Sequence, residues 1–168
     1  MLLIRQYQAM ARYNRWMNDK LYALAAELSD EERKRPMGAF FGSIHGTLNH
    51  LLLTDRGWLA RFGVGQAPRV RSLADELHAD FDDLRRERAE TDAALEGYAA
   101  ALSPEDLERV LTYRTMAGKS MAFPLWMALT HVFNHQTHHR GQITTLFSQL
   151  GRDPGVTDAI VVMQGDLD

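Results

Sequence analysis

The stretch PLWMALTHVFNHQTHHRGQITTLFSQL, residues 124–150, decides how the rest of the chain is read. Pro124 suits the first position of a helix, where its missing N–H costs nothing, and Gly151 is placed to end it. Projected at about 100° per residue, Leu125, Ala128, Leu129, Val132, Ile143, Leu146, Phe147 and Leu150 fall in one arc about 100° wide, the mark of a helix with one buried face. His139 falls inside that arc and His135 about 20° outside it, whereas His131 lies further off and His138 further still, toward solvent. Two imidazoles at i and i+4 sit about 6 Å apart along the axis, a separation from which both reach one metal ion. The spacing therefore predicts a long amphipathic helix whose inner side carries the nitrogen pair His135 and His139. Unlike an HExxH helix, it supplies no general base.

Such a helix needs partners for its apolar face, and three more stretches show the same 3-and-4 spacing. Met10, Tyr13, Met17, Leu21, Leu24 and Leu28 form the stripe of a first helix, which ends before Pro36 and Gly38. Ser43 is a candidate N-cap for a second, with Ile44, Leu48, Leu51, Leu52, Leu59 and Phe62 as its stripe and Gly63 and Gly65 as its stop. Ser72, three residues before Asp75 and four before Glu76, suggests a capping box for a third, carried by Leu73, Leu77, Phe81, Leu84, Leu95 and Tyr98 to about Ala101. SPEDLERV, 103–110, reads as a short capped turn, and LTYRTMAGKSMAF, 111–123, as a small hairpin or an extended crossover. Four helices too apolar on one face to stand alone are expected to form an all-α four-helix bundle, one domain over 1–168 with its tail packed on the bundle. The connection between helices 3 and 4 is the longest. It is expected to act as a long crossover that leaves those two helices parallel.

Composition narrows the function. At 168 residues with 45% apolar and 24% charged, the chain can bury a core without disulfides or a structural metal, so a metal here is not required for stability. A net charge of −3 with scattered basic residues argues against nucleic acid and anionic membrane as partners. No apolar run is long enough to span a bilayer and no secretory signal is evident, which points to the cytoplasm. With no cysteine, thiolate nucleophiles and zinc–thiolate sites are excluded, and any metal must be held by nitrogen and oxygen. There is no glycine-rich phosphate loop and no nucleophile elbow.

A catalytic metal usually takes three protein ligands and keeps a position open, so a third ligand is expected from another helix. The second helix offers His45 and His50. His45 sits nearer its apolar stripe, while His50 projects well off it beside Thr47 and Thr54. Asp55 lies on that stripe, where an ionised carboxylate needs a partner, either a metal-bound histidine or an arginine such as Arg140. Asn14 and Asn18, one turn apart on the first helix, are candidate polar neighbours of a pocket. Gly141 either permits close helix approach or is merely tolerated. Trp16, Trp58 and Trp126 read as packing anchors.

Three segments together, ARYNRWMNDKLY (11–22), SIHGTLNHLLLTDRGWL (43–59) and HQTHHRGQI (135–143), resemble the DinB-like family of metal-dependent enzymes, from about residue 5 to 150. The resemblance implies an up-down-down-up bundle, often a homodimer, binding a divalent metal through three histidines. By position these fall on His50, His135 and His139. His50 rests on the resemblance alone, since the periodicity of its helix does not select it. Relatives include thiol-dependent S-transferases and isomerases, so the implied activity is a small-thiol S-transferase, with a low-molecular-weight thiol as cosubstrate, or a metal-hydroxide hydrolase, in stress or detoxification. Zinc and nickel both suit imidazole nitrogen. Asp55 and Asn14 are candidates for supporting the ligands, and the roles of His45, His131 and His138 stay open. The contrasting expectation is a non-enzymatic, dimeric stress protein that binds metal or a small ligand.

Overall fold

The computed structural model describes residues 2–164. Four long helices, α1 (Leu2–Ala26), α3 (Ile44–Arg61), α4 (Phe81–Ala101) and α6 (Leu125–Gln149), dominate it. Three short ones, α2 (Asp30–Lys34), α5 (Pro104–Glu108) and α7 (Ala159–Met163), accompany the strands β1 (Val110–Arg114) and β2 (Ser120–Pro124). The starts are set by side chains that accept otherwise unpaired backbone N–H groups. Ser43 accepts from Gly46 at 3.0 Å and Asp80 from Asp83 at 3.0 Å. Gly151 adopts φ 70° just after α6, as its place in the sequence predicts.

Residues 110–124 form an antiparallel hairpin, Val110 opposite Pro124 and Arg114 opposite Ser120, so the chain is mostly rather than wholly helical. The third long helix begins at Phe81, nine residues later than Ser72. Segment 71–80 cannot wind into it because other groups take its backbone. Asn49 accepts from the N–H of Leu77 (2.8 Å) and His78 (3.0 Å), while Asn49 Nδ2 and His45 Nε2 reach the His78 carbonyl at 3.0 and 2.9 Å. Asp75 takes the N–H of Arg71 at 2.7 Å.

Side-chain contacts fix the helix directions. Tyr7 donates to the Trp126 carbonyl at 2.9 Å and Asn14 is bonded by Arg140, so α1 and α6 run the same way. Gln8 meets Ala99 and Tyr22 stacks on Phe81, so α4 runs against α1. Asp55 meets Arg88 and Phe62 stacks on Tyr98, so α3 runs with α4, and His50 against His139 with Trp58 against His131 sets α3 opposite to α6. The expected parallel pair of helices 3 and 4 is therefore replaced by a parallel pair of helices 2 and 3, here α3 and α4. The connection that runs back along the molecule is 62–80, and the hairpin segment simply reverses the chain.

Two apolar clusters fill the interior. One gathers Tyr7, Ala11, Leu59, Leu95, Leu125 and Leu129, the other Leu21, Ile44, Leu48, Leu84, Ile143 and Phe147. Every long helix also carries buried polar residues near the junction of these clusters: Asn14 and Asn18, Asp55, Arg88 and Asp92, Gln136 and Arg140. Ala159 and Val162 of the tail pack on the second cluster, and Tyr13 donates to the Thr157 carbonyl at 2.7 Å. Residues 165–168 lie outside the described residues. No helix among the described residues is long and apolar enough to cross a membrane.

Candidate metal centre

His50 from α3 and His135 and His139 from α6 meet at the level of the polar layer. The Nε2 atoms of His50 and His139 stand 3.2 and 3.1 Å from Nε2 of His135, and one ligating nitrogen from each ring lies within 4.8 Å of the others. His139 is buried at 7% exposure and His50 at 3%, despite its place off the apolar stripe of α3. Loop 62–80 and the turn before α3 explain that burial. The Leu73 carbonyl sits 2.8 Å from His50 Nδ1, and the Phe41 ring stacks on the imidazole at 3.7 Å between centroids. A helix periodicity records faces covered by other helices, and here irregular chain does the covering.

Proton placement follows from the partners. A carbonyl only accepts, so His50 carries its proton on Nδ1, and His139 Nδ1 likewise donates to Gln142 Oε1 at 2.8 Å. Both Nε2 lone pairs then point toward His135 Nε2, where one proton can satisfy at most one of them. Burial, with smaller contributions from neighbouring imidazoles, pushes His135 down to about 3. Burial likewise pushes His50 down to about 4, against the Leu73 carbonyl and helped by His139, and it lowers His139 although Gln142 opposes it. Three neutral imidazoles brought together in this way are a donor set that suits a divalent cation. Nitrogens roughly 2.0–2.1 Å from one ion stand roughly 3.0–3.4 Å apart, and the two separations from His135 fall in that range, with the third pair within 4.8 Å. No carboxylate among the described residues joins the group.

The remaining sequence candidates divide. Asp55 and Asn14 do not hold an imidazole; they belong to the buried polar layer. Arg88 donates to Asp55 (2.8 Å) and to Asp92 (2.8 and 3.1 Å). Asn14 and Asn18 also donate to Asp92, and Gln136 donates to Asp55. Arg140 bonds Asn14 and, at 3.3 Å, Gln136, so the arginine paired with Asp55 is Arg88 rather than Arg140. Two carboxylates and two guanidiniums balance in charge, which makes this layer tolerable inside the fold. His45 is fully buried and holds loop 71–80 through His78, away from the triad. His138 accepts from Gln142 Nε2 at 3.3 Å, and the ring of His131 lies 5.2 Å from Trp58. Hydrophobic periodicity does not mark Gln142, the support for His139; its i,i+3 spacing from His139 is the signal that does.

A cleft of about 760 Å³ opens beside His50 and His135, bounded by α3, loop 62–80 and the hairpin. Trp58 lines it as well as packing in the core, and Trp126 is 37% exposed rather than an anchor. Gly141 faces open space, so it serves no close helix approach.

Comparison with known proteins shows a family and a fold. The model of the DinB family matches residues 4–166. Protein DinB of Bacillus subtilis (strain 168) is 31% identical over 150 residues, covering 87% of each chain. The crystal structure of a DinB-like protein from Bacillus cereus ATCC 10987 superposes with a TM-score of 0.64 over 92% of this chain and 95% of that one, at 18% identity, a likeness of fold.

Proposed function

The chain belongs to the DinB family, and from that premise we propose that it is a divalent-metal-dependent enzyme, built as one domain over 1–168 and acting on a small molecule. The observation that carries the reading is the convergence of three neutral imidazoles, His50, His135 and His139, at the end of an open, largely apolar cleft. Zinc or nickel suits the nitrogen set. When bound, such an ion acts as a Lewis acid that lowers the pKa of a thiol or of water.

The chain's own residues do the rest. The Leu73 carbonyl and Gln142 hold two imidazoles in the tautomer that turns Nε2 inward. Phe41 covers the triad on one side, which keeps water from that face and leaves the cleft as the approach. With no cysteine in the chain, a thiol must enter as cosubstrate. The favoured reaction is transfer of a low-molecular-weight thiol to an electrophile, with hydrolysis as the variant in which water takes the thiol's place, in a cytoplasmic homodimer serving detoxification.

The test is metal content by mass spectrometry on untagged protein, wild type beside His139→Ala, followed by thiol-transfer and hydrolysis assays on the loaded protein. Near-stoichiometric metal that the variant loses, with turnover that follows the metal, is the expected result. Stoichiometric metal without turnover on any electrophile would move the chain to the non-enzymatic metal-binding reading. Negligible metal in both proteins, even after zinc or nickel is added, would overturn the centre itself.

A further inference from the structure

The cleft beside the triad contains a cation that the proposed chemistry does not use. Arg61, in the last turn of α3, holds its guanidinium 4.5 Å from the Trp58 ring centroid and 4.4 Å from that of Tyr113. No carboxylate among the described residues lies within ion-pair distance of it, and it makes no hydrogen bond there. By contrast, Arg15 of α1 pairs with Glu96 and Arg56, also on α3, with Glu87. The cleft lining includes Arg61, Arg114 and three histidines but neither Asp nor Glu. A cleft lined by arginine and histidine with no carboxylate, inside a chain of net charge −3, is a local departure from the whole.

A half-buried guanidinium has lost part of its hydration, and aromatic faces restore only some of that stabilisation. Its planar fork of donors matches a carboxylate or phosphate oxyanion. The walls around it, including Leu53, Pro68, Val70 and Leu73, offer apolar contact rather than polar readout.

We infer that this cleft takes a small organic anion, its oxyanion paired with Arg61 and its apolar body lying along the walls toward His50 and His135. The inference names the substrate class for the site proposed above and rests on that reading for its biological sense. Its test does not need a metal, so the two ideas fail separately.

The experiment is calorimetric titration of metal-free and zinc-loaded protein with 4-phenylbutyrate, with the uncharged 4-phenylbutyramide, and with inorganic phosphate. The carboxylate is expected to bind about tenfold tighter than the amide in both forms of the protein, and phosphate more weakly than the carboxylate. Arg61→Met should bring carboxylate and amide to equal affinity while the amide's own affinity and the zinc content stay unchanged, and Arg61→Lys should keep part of the preference. Equal binding of carboxylate and amide to the wild type, a preference that survives in Arg61→Met, phosphate binding as tightly as the carboxylate, or no saturable binding of any probe would each overturn the assignment. A preference present without metal in a protein that never retains zinc would leave the anion site standing and the metal centre fallen.

Discussion

Phe41 lies almost flat on His50, with ring centroids 3.7 Å apart and planes 16° from parallel. Its edge meets His139 at 5.4 Å, so one phenyl ring braces two of the three imidazoles. Phe41 is placed by a tight turn: the Met37 N–H donates to the Gly42 carbonyl at 2.8 Å, and Gly42 takes a φ of 78° that favours glycine. That turn presses on the first turn of α3, where Gly46 leaves room for it.

A Cβ at Gly46 would stand 2.2 Å from the Phe41 carbonyl oxygen, a backbone atom that cannot swing aside. Gly46→Ala is therefore expected to shift the turn, lift Phe41 from His50 and cost about 1–3 kcal/mol as overpacking. Urea unfolding reads the stability, and the upfield ring-current shift of the His50 protons reads the stack. An unchanged midpoint with an unchanged shift would refute the account.

Gln142 fixes His139 by accepting from Nδ1. Gln142→Leu leaves the three candidate ligands in place but removes that acceptor, so zinc affinity should fall about 10- to 100-fold, as measured by competition with a chromogenic chelator. His45→Ala loosens loop 71–80 but removes none of the three candidate ligands, so zinc stoichiometry should stay at wild type.

The folded protein refuses protons that the unfolded chain accepts. His50 is held down to about 4 and His135 to about 3 from an ordinary 6.5, chiefly by burial. The unfolded state therefore binds more protons below pH 6.5, and the stability of the metal-free protein is full above that pH and declines as pH falls toward 4 and 3. The slope is at most about 1.4 kcal/mol per pH unit for each histidine. His45 and His139, also lowered by burial, act with the same sign. Urea midpoints should be level between pH 8 and 7 and clearly lower at pH 5; level midpoints down to pH 5 would contradict the burial argument.

Arg88 is fully inside the polar layer. Burial pulls its pKa down, but Asp92 and Asp55 outweigh that and the net direction is up. Arg88→Met strands two buried carboxylates, and a loss of about 3–5 kcal/mol is expected. Because the charge then left is negative, the deficit should shrink at low pH as the carboxylates protonate. A deficit under 1 kcal/mol by urea unfolding, or one that grows on acidification, would show that the layer relaxes around the missing cation.

Helix existence was legible because long amphipathic periodicity reports a buried face whatever buries it. The pair His135 and His139 was legible on the same ground, since both sit on or beside the core arc of α6. Two features lay outside the periodic pattern for one reason. The third long helix starts well after Ser72, and His50 joins the cluster from off its own apolar stripe, because both depend on segment 62–80, an irregular stretch whose backbone is held by Asn49 and His45 and whose Leu73 carbonyl meets His50. Loops carry no period that a one-dimensional pattern can show.

Charge partners were equally hidden. Asp55 declared its need for a cation by lying on an apolar stripe, but whether that cation was Arg88 or Arg140 depends on which helices run side by side and in which direction, and Arg88 is the one that reaches it. The sequence by itself determined four amphipathic helices, the absence of thiol ligands and the i,i+4 imidazole pair, because each is a property of local spacing and composition. Only the tertiary structure decided that His50 completes the cluster, that Asp55 and Asn14 serve the buried layer instead, and that Arg61 faces a cleft without a carboxylate. Those are relations between segments far apart in the chain, fixed by packing and hydrogen bonding across the fold rather than within any one helix.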